Sequence, residues 1–205
     1  MPPTRMGWDQ ELGWVPAFVP ALDMMGWAND QLIREGSALY NPDHKHLEFA
    51  DIAFLWAASG FEKQMRRIIG QAEEVTFRCS PWQKGRQEQQ MCEWFGRTPD
   101  YLITLDADYC RNCSDIEFCA LVEHELYHIG QKKDDFGQPA FTKDGLPKLG
   151  LRSHDVEEFV GVVRRYGVGH PEGRLAELVK VANSAPEVSS LAVSRACGTC
   201  HLKLA

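Results

Sequence analysis

Leu121-Val122-Glu123-His124-Glu125-Leu126-Tyr127-His128-Ile129 is the stretch on which the reading of this chain turns. It carries H-E-x-x-H among apolar residues at helical spacing. On an α-helix, residues four apart stand one turn above each other, so His124 and His128 offer two imidazoles to one point in space. That is half of a zinc site. Glu125, one step round the helix, comes within reach of a water at the metal's open position without being a ligand, which suits it to the role of general base. The pattern therefore nominates His124 and His128 as metal ligands and Glu125 as a catalytic carboxylate.

The flanking residues supply the helix with a start and a buried face. Ser114-Asp115-Ile116-Glu117 reads as a capping box, with Ser114 accepting from the amide of Glu117 while the Glu117 side chain reaches back. The helix is expected from Asp115 to about Ile129, ended by Gly130. Cys119, Val122, Leu126 and Ile129 recur at spacings of three and four and form the expected buried stripe. Glu117, Leu121, His124 and His128 share another side. Histidines that lie off the main stripe suit a cleft better than a core.

A catalytic zinc takes three protein ligands and leaves a fourth position open, so one more donor is needed. Ser153-His154-Asp155-Val156-Glu157-Glu158-Phe159 is the candidate segment. Val156, Phe159, Val160 and Val163 fall at i, i+3, i+4 and i+7, which predicts a second amphipathic helix ending near Tyr166-Gly167. On that wheel Asp155 flanks the buried face, whereas His154 and Glu158 point nearly opposite and Glu157 lies off to the other side. Geometry thus favours Asp155 as third ligand, and the ligand chemistry of zinc favours His154 as the alternative. Both stay open at this point.

The order of a strand at Tyr101-Leu102-Ile103-Thr104-Leu105, the H-E-x-x-H helix and the His154-Asp155-Val156-Glu157-Glu158-Phe159 string resembles the SprT-like and phage metallopeptidases, and more distantly the ImmA/IrrE type. The likeness covers roughly residues 50 to 167. It implies an α+β, zincin-like fold in which a small mixed sheet packs on the active-site helix. It also implies a zinc-dependent peptidase acting on a protein or peptide substrate, in a bacterium or a phage-infected cell. The third ligand implied by the resemblance is a histidine or an acidic residue in the His154–Asp155 pair.

Composition is compatible with that expectation. A chain of 205 residues, 44% hydrophobic and 25% charged, is long enough to bury a core. The net charge of −7 gives no overall basic footprint for nucleic acid, and Lys63-Gln64-Met65-Arg66-Arg67 is read as the solvated face of a helix. No signal-peptide pattern opens the chain and no run of 18 apolar residues follows, so a cytoplasmic, membrane-free protein is expected. The organisation expected is a helical extension over residues 1–45, a metallopeptidase domain over 46–183 and a tail over 184–205. Helices are predicted at Ala21 to Leu39, Leu47 to Ile69, Arg86 to Phe95 and Arg174 to Ala182. Strands are predicted at Glu74 to Arg78 and Tyr101 to Leu105, and a hairpin around Asp144-Gly145.

The cysteines raise a second metal question. Cys110-Arg111-Asn112-Cys113 and Cys197-Gly198-Thr199-Cys200 are both C-x-x-C, and four thiolates from two such knuckles make a tetrahedral structural zinc site. A second zinc would pin the tail beside the H-E-x-x-H helix, because Cys113 directly precedes Ser114. Two other functions fit parts of the pattern. In a non-catalytic module the metals would be scaffolding, and in a deformylase-like amidase Cys92 or Cys113 would be a ligand.

Overall fold

The computed structural model describes residues 1–3, 6–9, 13–14, 17–63, 66–156, 163–164 and 166–188. Two short strands, β1 (Trp8–Asp9) and β2 (Gly13–Trp14), pair with each other, and β3 (Phe18–Pro20) follows. Then come α1 (Met24–Ala28), a π-type turn at Asn29–Ile33 and a 3-10 helix at Pro42–Leu47. Next are β4 (Ile52–Ala57), the hairpin of β5 (Phe61–Lys63) and β6 (Arg66–Ile68), and β7 (Gly70–Glu74). Helix α2 (Pro81–Phe95), β8 (Tyr101–Asp106), α3 (Ala107–Asn112) and α4 (Asp115–Tyr127) precede a second ribbon of β9 (Ile129–Gln131) and β10 (Leu149–Leu151). Helix α5 (Arg174–Ala182) comes last among the described elements. The class is α+β, as expected.

The central sheet has the order β3-β4-β8-β7, with β4 and β8 parallel and the outer strands antiparallel to them. Strand β4 is buried at every position. Ile52, Phe54 and Trp56 face the larger core with Tyr101, Ile103 and Leu105, whereas Ala53, Leu55 and Leu102 face a smaller one completed by Met91, Trp94 and Phe95 of α2. Burial on both faces explains the largest departure from expectation. The helix predicted over Leu47 to Ile69 is instead a strand and a hairpin, because a strand covered on both sides reads as a continuous apolar run with no alternation to betray it. The basic run Lys63 to Arg67 accordingly falls on the β5–β6 hairpin, with Gln64 and Met65 outside the described residues.

Other differences are smaller. The long helix predicted over Ala21 to Leu39 is confined to α1 and the π-type turn, and Ala21, Met24, Ala28, Leu32 and Ile33 all enter the larger core. The strand expected at Glu74 to Arg78 lies at Gly70–Glu74. Helix α2 starts earlier than expected, at Pro81, behind a capping box of Ser80 and Gln83. Of the helix predicted after Val156, residues 157–162 and 165 lie outside the described residues, Glu157, Glu158 and Phe159 among them; Val163, Arg164 and Tyr166 are helical. No helix among the described residues is long and apolar enough to cross a membrane.

Helix α4 begins as its sequence requires. The Glu117 amide donates to Ser114 Oγ at 3.3 Å and the Ser114 amide donates to Glu117 Oε2 at 2.8 Å, so two unpaired amides of the first turn are satisfied together. The Ser114 amide and, after it, the Ser114 hydroxyl, which donates to Glu117 Oε2 at 2.7 Å, hold the Glu117 carboxyl below its ordinary pKa. Cys119, Val122 and Leu126 are buried as the periodicity requires, and Leu121 is buried too. The helix ends at His128 rather than at Gly130, because Ile129 already belongs to β9, where Gly130 pairs with Gly150.

Candidate metal centre

Three imidazoles converge where α4 ends. The nitrogens of His124, His128 and His154 that face inward all lie within 4.8 Å of one another. His124 Nε2 stands 3.3 Å from His128 Nε2 and 3.2 Å from His154 Nε2. Two nitrogens bound tetrahedrally at the usual zinc–nitrogen distance of about 2.0–2.1 Å would stand about 3.3–3.4 Å apart, which the two distances from His124 match. Burial lowers the pKa of His124, and the neighbouring His128 and His154 lower it further, which favours the neutral form a metal requires.

The tautomer of His128 is set by its other nitrogen. Nδ1 lies 2.9 Å from the carbonyl oxygen of Arg152, which can only accept, so Nδ1 carries the proton and Nε2 keeps its lone pair for the cluster. The Arg152 amide returns a hydrogen bond to the His128 carbonyl at 2.8 Å. This reciprocal pair closes the base of the β9–β10 ribbon. It brings residue 152 back beside 128, and His154 follows two residues later.

Asp155, the donor favoured by the helical wheel, sits elsewhere in this arrangement. Its carboxylate accepts from Arg152 at 3.2 Å and from Arg174 of α5 at 2.6 Å. Residues 152–156 have no helical conformation, so the 100° per residue of the wheel does not describe where their side chains point. No cysteine belongs to the metal-competent group among the described residues, which leaves Cys92 on α2 and Cys113 at the end of α3 apart from it.

Glu125 is buried beside the cluster, at 3% exposure. Burial raises the pKa of its carboxyl, while His128 and the backbone amide of Ala72 in β7 partly offset the effect. Its neighbour across the cleft is Gly70, where a Cβ would collide with Glu125 Oε1 and come within 3.0 Å of Leu121 Cδ1. The glycine is thus a condition for the carboxylate's position. A cleft of about 430 Å³ opens there, bounded by Arg67, Ile69, Gly70, Tyr109, Leu121 and Glu125 and reaching His124. Arg67 is held by the buried carboxylate of Asp106 at 2.7 Å, and the other oxygen of Asp106 accepts from the amides of Asp108 and Tyr109 to cap α3.

Behind α4, the amino-terminal 3-10 helix is bound to the same turn. Asn41 donates to Glu123 Oε1 at 2.6 Å and to the Tyr127 hydroxyl at 2.8 Å, and that hydroxyl donates to Asp43 at 3.1 Å. His44 is fully buried, edge-on to Tyr127, with Nε2 3.6 Å from Glu123 Oε1. Sequence reasoning missed Gly70, Asn41, Asp43, Arg152 and Arg174. Each acts across a long separation that no local pattern records.

The first C-x-x-C is described and the second is not. Cys110 packs in the larger core, where burial, followed by the nearby Cys113, pushes its thiol up to about 12; Cys113 caps α3. Cys197 and Cys200 lie outside the described residues.

No curated protein and no solved structure matches this chain. A family model does, over residues 25–183, which takes in three of the four strands of the central sheet, the H-E-x-x-H helix, His154 and α5. With most of its length matched, the chain belongs to the putative phage metallopeptidase family, a family of metal-dependent peptidases by that description.

Proposed function

We propose that the protein is a zinc-dependent peptidase with a zincin-like site, in which His124, His128 and His154 hold the metal and Glu125 is the general base. The observation that carries this reading is the convergence of three imidazole nitrogens beside a buried carboxylate. Three neutral nitrogens and an open fourth position are the donor set of a catalytic rather than a structural zinc. A zinc ion there would polarise the scissile carbonyl and make a water molecule more acidic.

The chain's own residues do the rest. Glu125, made more basic by burial, takes a proton from the attacking water and delivers it to the departing amine. Strand β7 is the edge of the central sheet and borders the cleft, so an extended peptide laid beside it would bring a backbone carbonyl toward His124 and Glu125. His128 keeps its ligating tautomer through the carbonyl of Arg152.

The test is Glu125→Gln with metal content measured alongside peptide hydrolysis. Loss of a general base costs about 10²–10⁴-fold in rate, and the ligands remain, so activity should collapse while the metal stays. Retained activity would remove Glu125 from the role of general base, and a zinc-loaded parent that hydrolyses no peptide would leave the metal as scaffolding in a non-catalytic module. Loss of the metal would make Glu125 part of the coordination.

A second, structural zinc on Cys110, Cys113, Cys197 and Cys200 is kept as part of the proposal. It is supported by the closeness of Cys110 and Cys113 at the end of α3, just before the capping box of α4. Quantitative metal analysis of the full chain should then find two zinc ions, and removal of residues 190–205 should lower the count by one.

A further inference from the structure

Residues 152–156 carry His154 and have no regular secondary structure, so whatever fixes the third imidazole must come from side chains and from the ribbon. At the ribbon side, the Arg152 amide donates to the His128 carbonyl and the His128 ring Nδ1 donates to the Arg152 carbonyl, and these two bonds hold one end. At the other side stands Asp155, next in sequence to His154. Its two carboxylate oxygens are taken by two guanidinium groups from different parts of the chain, Arg152 at 3.2 Å and Arg174 at 2.6 Å. Arg152 in turn lies over the ring of Tyr127, 5.6 Å from its centroid, and Tyr127 is tied to Asp43. A chain of side chains, Asp43–Tyr127–Arg152–Asp155–Arg174, therefore runs past the metal cluster from the amino-terminal 3-10 helix to α5.

Among the described residues, helix α5 is tied to the segment that carries His154 by the Arg174–Asp155 ion pair. None of its nine residues is buried, and Leu178 and Val181 on its surface are 52% and 62% exposed. A cleft of about 750 Å³ lies between it and Tyr127, Gln131 and Arg152, and the paired Arg174 and Asp155 are both part of its lining. An exposed ion pair is weak by itself. Here one carboxylate joins two cations beside a segment without regular secondary structure.

We propose that Asp155 is a positioning residue that fastens the His154 loop to α5 through Arg174, so that a helix remote from the ligands sets how well the third histidine is held. The inference rests on the reading of His124, His128 and His154 as metal ligands and assigns Asp155 no contact with the metal. It follows that Arg174, which touches no ligand, controls metal retention.

The experiment compares Asp155→Asn, Arg174→Gln and the double variant in the full-length protein. Zinc affinity is measured by competition with a chromophoric chelator, and the ligand set by the visible spectrum of the cobalt(II)-substituted protein. Loss of a residue that orients a ligand typically costs about 10–100-fold in metal affinity. Asp155→Asn should weaken zinc by about tenfold and Arg174→Gln by somewhat less, with the double variant no weaker than Asp155→Asn because both break one connection. The cobalt(II) spectrum should keep the intensity and band positions of the parent, since the donors are unchanged. A changed spectrum in Asp155→Asn, with zinc binding unaffected or tighter in Arg174→Gln, would make Asp155 a ligand and overturn the proposal. Unaltered affinity in both single variants would also overturn it, reducing the pair to a surface contact. His128→Ala serves as the control: if it binds zinc as the parent does, the metal-site reading fails and not merely the positioning role.

Discussion

Helix α4 and residues 152–156 deliver imidazoles to the same cluster by opposite means. His124 and His128 stand on a helix anchored by a capping box at its start and by Val122 and Leu126, both fully buried, along its inner face. Their separation is a property of the helix itself. His154 stands on a segment without regular structure, brought there by the closure of the β9–β10 ribbon and by bonds to its neighbours. Two of the imidazoles are set by local conformation and core burial, while the third depends on contacts made by residues far away in sequence. Disturbing the first pair should remove the site, and disturbing the supports of the third should weaken it by degrees.

The sharpest way to break the comparison is to remove one ligand from each region. His128→Ala deletes a helical donor and also cuts the Nδ1 bond to Arg152, so it should abolish metal retention and loosen the loop that bears His154. His154→Ala should also lose the metal but leave that bond and α4 intact. Metal analysis together with hydrogen exchange of residues 150–156 would separate the two cases. Equal protection of that segment in both variants would show that His128 does not secure the loop.

Next in expected size is Gly70→Ala. The added methyl group must displace the Glu125 carboxylate or the strand, because a Cβ at Gly70 collides with Glu125 Oε1. A misplacement of about 1 Å at a reacting group can cost about 10²-fold, so hydrolysis should fall by about that factor with metal content unchanged. Normal turnover would mean that Glu125 has room to move and is not held by the strand.

The smallest effects probe the helix side of the comparison at its start. Ser114→Ala removes the hydroxyl that caps α4 and should lower stability by about 1 kcal/mol, read as a shift in the denaturation midpoint. Glu117 contributes in a pH-dependent way. Its folded pKa lies below the ordinary 4.5, so its stabilisation is fully present above 4.5 and is lost as pH falls through the lower folded value. The stability gap between the parent and Glu117→Gln should therefore narrow in acid, and a gap that stays constant with pH would show that the carboxylate's charge plays no part in the cap.

Local sequence by itself determined the parts of this protein whose conformation is written in short-range spacing. The capping box, the inner face of α4, the pairing of His124 with His128, the central strand Tyr101–Asp106 and α5 are all readable because each depends on neighbours within a few residues. Tertiary structure decided the rest. Strand β4 carries no alternation because it is covered on both faces, and only its partners β3 and β8 distinguish it from a buried helix. The choice between His154 and Asp155 could not be read from periodicity, since residues 152–156 follow no period. What orients them is a hydrogen bond between the His128 ring and the Arg152 carbonyl and a guanidinium group on α5, and interactions of that range exist only once the chain has closed.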